Sequence, residues 1–162
     1  MEKMTTVKND IMIKNLETTE CIELLNNNYI GHLAFISHKE PYILPITYSY
    51  NQKSNSIIGY SSEGHKIEAM RKNDLVSLEV EEIKSVNNWR SVSVHGTFEE
   101  LQGIDAKYLL HEFAQKVKKI VEQKEGSHPE FISEFSSKLY GQGIPIVYRI
   151  NIQQITGKYR EP

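Results

Sequence analysis

Cysteine is nearly missing from this chain: Cys21 stands alone in 162 residues. No internal disulfide framework can form, and no cysteine pair is available to anchor a zinc knuckle. Long hydrophobic runs are absent too, and nothing approaches the roughly 20 apolar residues of a membrane-spanning helix. Neither sign of charge dominates. The 19 Lys and Arg residues against 21 Asp and Glu give a net charge of −2, with the two signs mixed along the chain. No global field therefore draws the protein to nucleic acid or to an anionic membrane. Met1 to Asp10 is polar and lacks the apolar stretch of a secretory signal. With the single cysteine, this makes the cytoplasm the expected location. Catalytic signatures are also scarce. There is no P-loop and no nucleophile elbow. Gly141-Gln142-Gly143 lacks the third glycine of a dinucleotide fingerprint and reads as a turn. The six histidines, His32, His38, His65, His95, His111 and His128, include no pair at ligand spacing, so no metal site is expected.

What remains is an ordinary soluble composition, 39% hydrophobic and 25% charged, long enough for one domain with a real core. Residues 1–16 read as a leader that frays or adds an edge strand through Ile11, Met12 and Ile13. Thr18 is a candidate N-cap for a short helix carrying Ile22, Leu24 and Leu25. Strands are expected at Ile30–Ser37, Tyr42–Tyr50, Ser56–Tyr60, around Val76–Val80, at Trp89–Glu99 and at Pro145–Ile152. Helices are expected at Gly64–Lys72, through Leu109, Phe113, Val117, Ile120 and Val121, and at Glu130–Leu139. The last two form a helical insert over about residues 104–139. The short connections between strands favour a fold that is mainly β with flanking helices, a small antiparallel barrel of about six strands, over a parallel sheet.

Three stretches could carry chemistry. The first runs from Tyr60 through Ser61, Ser62, Gly64, His65 and Lys66, where a strand ends, a polar turn follows and a helix begins. Hydroxyls, backbone N–H groups and an ammonium would converge there on one anion, assisted by the helix dipole. An ordinary capped helix with an exposed lysine fits the same residues. The second is Trp89-Arg90-Ser91, an aromatic ring, a guanidinium and a hydroxyl at the start of a strand. Side chains alternate along a strand, so Arg90 faces away from Trp89 and Ser91. The three cannot meet one ligand face unless a bulge or a second subunit intervenes. The third is Leu44-Pro45-Ile46-Thr47 within Pro41–Thr47. A proline inside a strand marks an edge or a bulge, where unpaired backbone groups could meet a flat heterocycle. Cys21 reads as a small buried hydrophobe, and the pairs Glu81-Glu82 and Glu99-Glu100 as solvated edge charges.

The order of these stretches resembles the FMN-binding split-barrel family that includes the pyridoxamine 5′-phosphate oxidases, and within it the small nitroimidazole-resistance proteins. The likeness rests on Gly31-His32-Leu33-Ala34-Phe35 with Pro41–Ile46, on Gly64-His65-Lys66, on Trp89-Arg90-Ser91-Val92 with Gly96, and on Ile155-Thr156-Gly157-Lys158. It implies a homodimer with one FMN at each of two equivalent interface sites and a small-molecule substrate. In that arrangement Leu44, Pro45, Ile46 and Thr47 would line the isoalloxazine edge. Tyr60, Ser61, Ser62, Gly64, His65 and Lys66 would hold the phosphate and ribityl end. Trp89, Arg90 and Ser91 would come from the partner chain. His65 is the candidate proton donor, or else only a phosphate contact. The arginine and lysine that bracket the flavin-edge strand in pyridoxamine phosphate oxidases are missing around Ile43–Tyr48, and the C-terminus, Gly157–Pro162, has no tryptophan. Vitamin B6 oxidation is therefore not expected. The resemblance implies instead electron transfer from a nicotinamide donor to a nitro compound or quinone. Rival readings are a haem-binding or haem-degrading split barrel using His95, His32 or a C-terminal histidine, of which none follows His128, a non-enzymatic flavin module, and a deazaflavin protein.

Overall fold

A computed structural model describes residues 12–126 and 145–162. Along these residues run β1 (Lys14–Asn15), α1 (Thr18–Asn26), β2 (Ile30–Ser37), β3 (Glu40–Thr47), β4 (Ser49–Asn51), β5 (Ser56–Ser61), α2 (His65–Lys72), β6 (Leu75–Ser85), β7 (Asn88–Leu101), α3 (Gly103–Glu125) and β8 (Ile146–Arg160). The strand order is β3-β2-β6-β7-β8-β5-β4, with β1 added on β8 and antiparallel pairing throughout. β3 and β4 end opposite edges of that order, yet only Tyr48 separates them in the chain. The sheet must curl until its edges approach, which makes a barrel split along one seam.

The expected mainly-β fold with flanking helices is therefore observed, with eight strands among the described residues where about six were expected. One extra strand comes from the break at Tyr48 in what the alternation predicts as a single strand, Tyr42–Tyr50. Tyr48, Ser49 and Tyr50 are all buried where the chain passes from one edge of the strand order to the other. The Tyr48 ring is driven fully inside. Its N–H donates to the Tyr29 carbonyl and its hydroxyl to the Leu25 carbonyl, both at 2.8 Å. The other is β1, which lies just after the Ile11–Ile13 stretch expected to form it.

Alternation sorts the barrel wall into two faces. Leu33 and Phe35 of β2, Val76, Leu78 and Val80 of β6, and Val92 and Val94 of β7 point inward and are buried. Between them, His32, Ser77, Glu79, Glu81 and Ser91 lie half-buried on the outer face. Gly96 sits at a β-bulge where β8 crosses so closely that a Cβ would lie 2.1 Å from the Asn151 carbonyl oxygen. α1 starts one residue earlier than Thr18 predicts. Glu17 is the cap, and its N–H donates to Glu20 Oε1 at 3.1 Å. Cys21 is buried against Gly157, and burial pushes its thiol pKa up, as an inert core cysteine requires.

α3 builds a second, smaller core outside the barrel. Phe113, Val117, Ile120 and Val121 pack with Tyr29, Ile58, Leu101 and Val147. It ends at Gly126 in a left-handed cap with φ 63°. This part of the predicted insert buttresses the barrel. The predicted helix Glu130–Leu139, the Gly141-Gln142-Gly143 turn and His128 lie outside the described residues. Among the described residues no helix is long and apolar enough to cross a membrane.

Candidate functional site

β5 ends at Ser61, and the chain turns through Ser62, Glu63 and Gly64 into α2. The turn is braced from within. Ser61 Oγ donates to the Ser62 carbonyl at 2.8 Å. Glu63 accepts two hydrogen bonds from Arg71, at 2.8 and 2.9 Å, while Arg71 also grips Glu100 of β7 at 2.8 and 2.9 Å. These bonds tie the turn to the last turn of α2 and to the barrel wall.

The other end of the helix is left open. Gly64 caps α2 without a side chain, and a Cβ there would meet nothing within 4 Å. The first N–H groups of an α-helix have no intrahelical partner and lie at the positive end of its dipole. Lys66 stands beside them, half-buried. Among the described residues its ammonium has no hydrogen-bond or ion-pair partner, and burial pushes its pKa down. A desolvated cation without a counter-ion is costly for the fold alone and is relieved by an anion.

His65 projects the other way. Its Nε2 is 2.9 Å from Ser37 Oγ, and its ring meets Tyr42 edge-on at 5.0 Å and Phe35 at 5.7 Å. The start of α2 is thus joined to the beginning of β3. Along β3, Leu44 and Thr47 are half-buried, Ile46 is buried and Pro45 is exposed. Among the described residues β3 pairs only with β2, so half of its backbone polar groups face away from that partner, and Pro45 contributes no N–H. His65 is thus the link between the turn and the β2–β3 edge. Tyr60 is partly committed elsewhere, packing on Phe113 of α3 at 5.2 Å.

Trp89, Arg90 and Ser91 are not part of this region. His65 is level with Ser37 at one end of β2, whereas Arg90 pairs with Glu82 near the far end of β6. The separation is about eight strand positions, roughly 25 Å. Alternation holds as expected. Arg90 donates to Glu82 at 2.8 Å on one face, and Ser91 donates to Glu79 at 2.9 Å on the other. Within one chain these three residues cannot reach the Lys66 turn.

The acidic pairs differ from their sequence reading, since each member finds a partner. Glu99 binds Arg149 and Asn151, Glu100 binds Arg71, and Glu82 binds Arg90 and Asn28. Glu81 and Glu79 instead meet His32 across the β2–β6 pairing. Contact with Glu79, and then burial, pushes the Glu81 carboxyl up, while His32 pulls it down. Histidine spacing along the chain could not show this grouping, because it arises from cross-strand register. His95, on the same outer face, has its Nδ1 2.7 Å from Ser77 Oγ.

The class of protein that the fold defines is a split antiparallel barrel with flanking helices. The sequence pattern of the pyridoxamine 5′-phosphate oxidase family matches residues 17–159, and the chain belongs to that family. It is 26% identical over 148 residues to an uncharacterized protein of Rhizobium meliloti (strain 1021), covering 91% of this chain and 95% of that one. Among solved structures it resembles a FAD-binding protein of Mesorhizobium loti, at 28% identity and TM-score 0.72, over 93% of this chain and 98% of the other. It also shares its fold with the flavocytochrome Anf3 of Azotobacter vinelandii, at 15% identity and TM-score 0.66, over 93% of this chain and 70% of that one.

Proposed function

We propose that the chain is an FMN-dependent oxidoreductase acting as a homodimer in a reducing, cytoplasmic setting. The observation that carries this is the half-buried Lys66 ammonium, without a partner among the described residues, beside the Gly64 end of α2. Such a site accepts a phosphate, and the adjoining β3 edge offers backbone groups to a flat heterocycle. Family membership and the FAD-binding relative at 28% identity support a flavin as the ligand. We favour FMN over FAD because the groups able to hold a phosphate lie together in one turn, Ser61–Lys66.

Bound there, the flavin supplies a ring able to take electrons from a nicotinamide donor and pass them to a small acceptor such as a nitro compound or quinone. The chain's own residues bind and orient. Lys66 and the α2 N–H groups neutralise the phosphate. Ser61 and Ser62 shape the turn. Leu44, Pro45, Ile46 and Thr47 present the strand edge. His65, steadied by Ser37 and Tyr42, is the candidate proton donor. The distance of Trp89, Arg90 and Ser91 from Lys66 in one chain favours their action on the partner's flavin. Exposed Tyr42 and Ile43, beside the same edge, offer apolar surface for that partner.

The test is an absorption spectrum of purified protein, chromatography of the released chromophore, and anaerobic addition of NADPH. FMN bands that bleach are the expected result. Released FAD would correct the cofactor, a Soret band would replace flavin by haem, and no chromophore even after FMN is added would overturn the reading. A monomer by light scattering would remove the shared site.

A further inference from the structure

The outer face of β2 and β6 carries a second constellation, independent of the Lys66 turn. His32 stands directly opposite Glu79 in the β2–β6 register, and Glu81 lies two residues along β6 on the same face. His32 Nδ1 is 3.3 Å from Glu79 Oε2 and 3.5 Å from Glu81 Oε2. One ligand atom from each residue falls within a 4.8 Å cluster, and all three residues are half-buried.

We propose that His32, Glu79 and Glu81 form a binding site for a divalent first-row transition-metal ion such as Zn²⁺ or Mn²⁺. Metal–ligand bonds of about 2.0–2.2 Å put neighbouring tetrahedral ligand atoms roughly 3.3–3.6 Å apart. The two nitrogen–oxygen separations fall in that range. One imidazole with two carboxylates suits Zn²⁺, Mn²⁺ or Fe²⁺ better than Ca²⁺ or Mg²⁺, which favour all-oxygen shells.

Two further observations single this cluster out from ordinary surface acids. Glu79 is oriented: its Oε1 accepts a 2.9 Å bond from Ser91 Oγ, which leaves Oε2 aimed at His32. Metal sites commonly steer their ligands with such outer bonds. Glu81 Oε2 is closed off from solvent and receives no hydrogen bond. Among the described residues no Lys or Arg forms an ion pair with either carboxylate, whereas Glu82, Glu99 and Glu100 each have an arginine. Three donors leave at least one coordination position for water or a small ligand.

The test uses the full, untagged chain stripped with a chelator and titrated with Zn²⁺ and separately Mn²⁺ by calorimetry. One ion per chain is expected, at micromolar affinity or tighter. Glu81→Gln and His32→Asn should each weaken binding at least tenfold. Cobalt substitution adds a readout free of any activity, since a nitrogen–oxygen tetrahedral site gives strong visible bands that both variants should lose. Circular dichroism confirms that each variant is folded, and Glu79→Gln supplies a third probe if one is not. Lys66→Ala should bind the metal normally, which separates this site from the phosphate turn. Absence of stoichiometric binding, or unchanged binding in the folded variants, overturns the proposal.

Discussion

The two ends of α2 handle positive charge in opposite ways. In the last turn, Arg71 is saturated by Glu63 and Glu100 through four hydrogen bonds of 2.8–2.9 Å. In the first turn, Lys66 is more buried and has no partner among the described residues. Had the sequence been shaped for stability alone, the buried cation would be the paired one, because an uncompensated charge costs more as it leaves water. The inversion is the ground on which we propose Lys66 as a ligand-binding group and Arg71 as a structural one.

Lys66→Ala breaks this comparison most directly. Removing a charge-assisted contact to phosphate costs about 1.5–3 kcal/mol, or roughly ten- to a hundredfold in FMN affinity. The ligand-free protein should melt no lower, since the variant removes a desolvated charge. A fluorescence titration with FMN and a thermal melt read the two effects, and an equal loss in both would make Lys66 a structural residue. Gly64→Val sharpens the same point. Its side chain enters space that is empty of protein atoms, so the ligand-free melt should move little. It occupies the approach to the α2 N–H groups, so FMN binding should fall severalfold. A large drop in stability with intact binding would show that Gly64 serves the fold.

The sequence made the Lys66 turn legible because everything in it is local. Strand end, small polar turn, cation and helix follow one another within a dozen residues. The inward-facing Val76, Leu78 and Val80 of β6 and Val92 and Val94 of β7 were legible for the same reason, since alternation is a property of neighbours. What escaped depends on register or on distant contact. Tyr48 breaks a strand because its hydroxyl finds the Leu25 carbonyl, and no local pattern announces that. Glu81 and Glu82 look alike in sequence, yet pairing sends one to His32 and the other to Arg90. Trp89-Arg90-Ser91 could be recognised as a unit, but its distance from Lys66 becomes visible only when the β6–β7 pairing is known.

The paired side of the comparison has its own signature, smaller and dependent on pH and salt. Arg71 holds the Glu100 carboxyl below the usual range, and Arg149, then Asn151, does the same for Glu99. A carboxylate with a depressed folded-state pKa stabilises the protein above its unfolded value, about 4.3. That contribution is lost as pH falls through the folded-state pKa. Urea midpoints should therefore be flat near neutrality and decline below about pH 4.5. Arg71→Gln should lower the midpoint slightly at pH 7 and weaken the acid decline, because Glu100 then titrates more nearly alike in both states. Both arginine pairs are solvent-exposed, so 1 M salt should erase much of the difference between variant and parent. Salt should not do the same for Lys66→Ala, whose effect appears only with a bound anion. If the acid decline were identical in the Arg71→Gln variant, these bonds would be incidental, and the contrast between the two ends of α2 would rest on Lys66 alone.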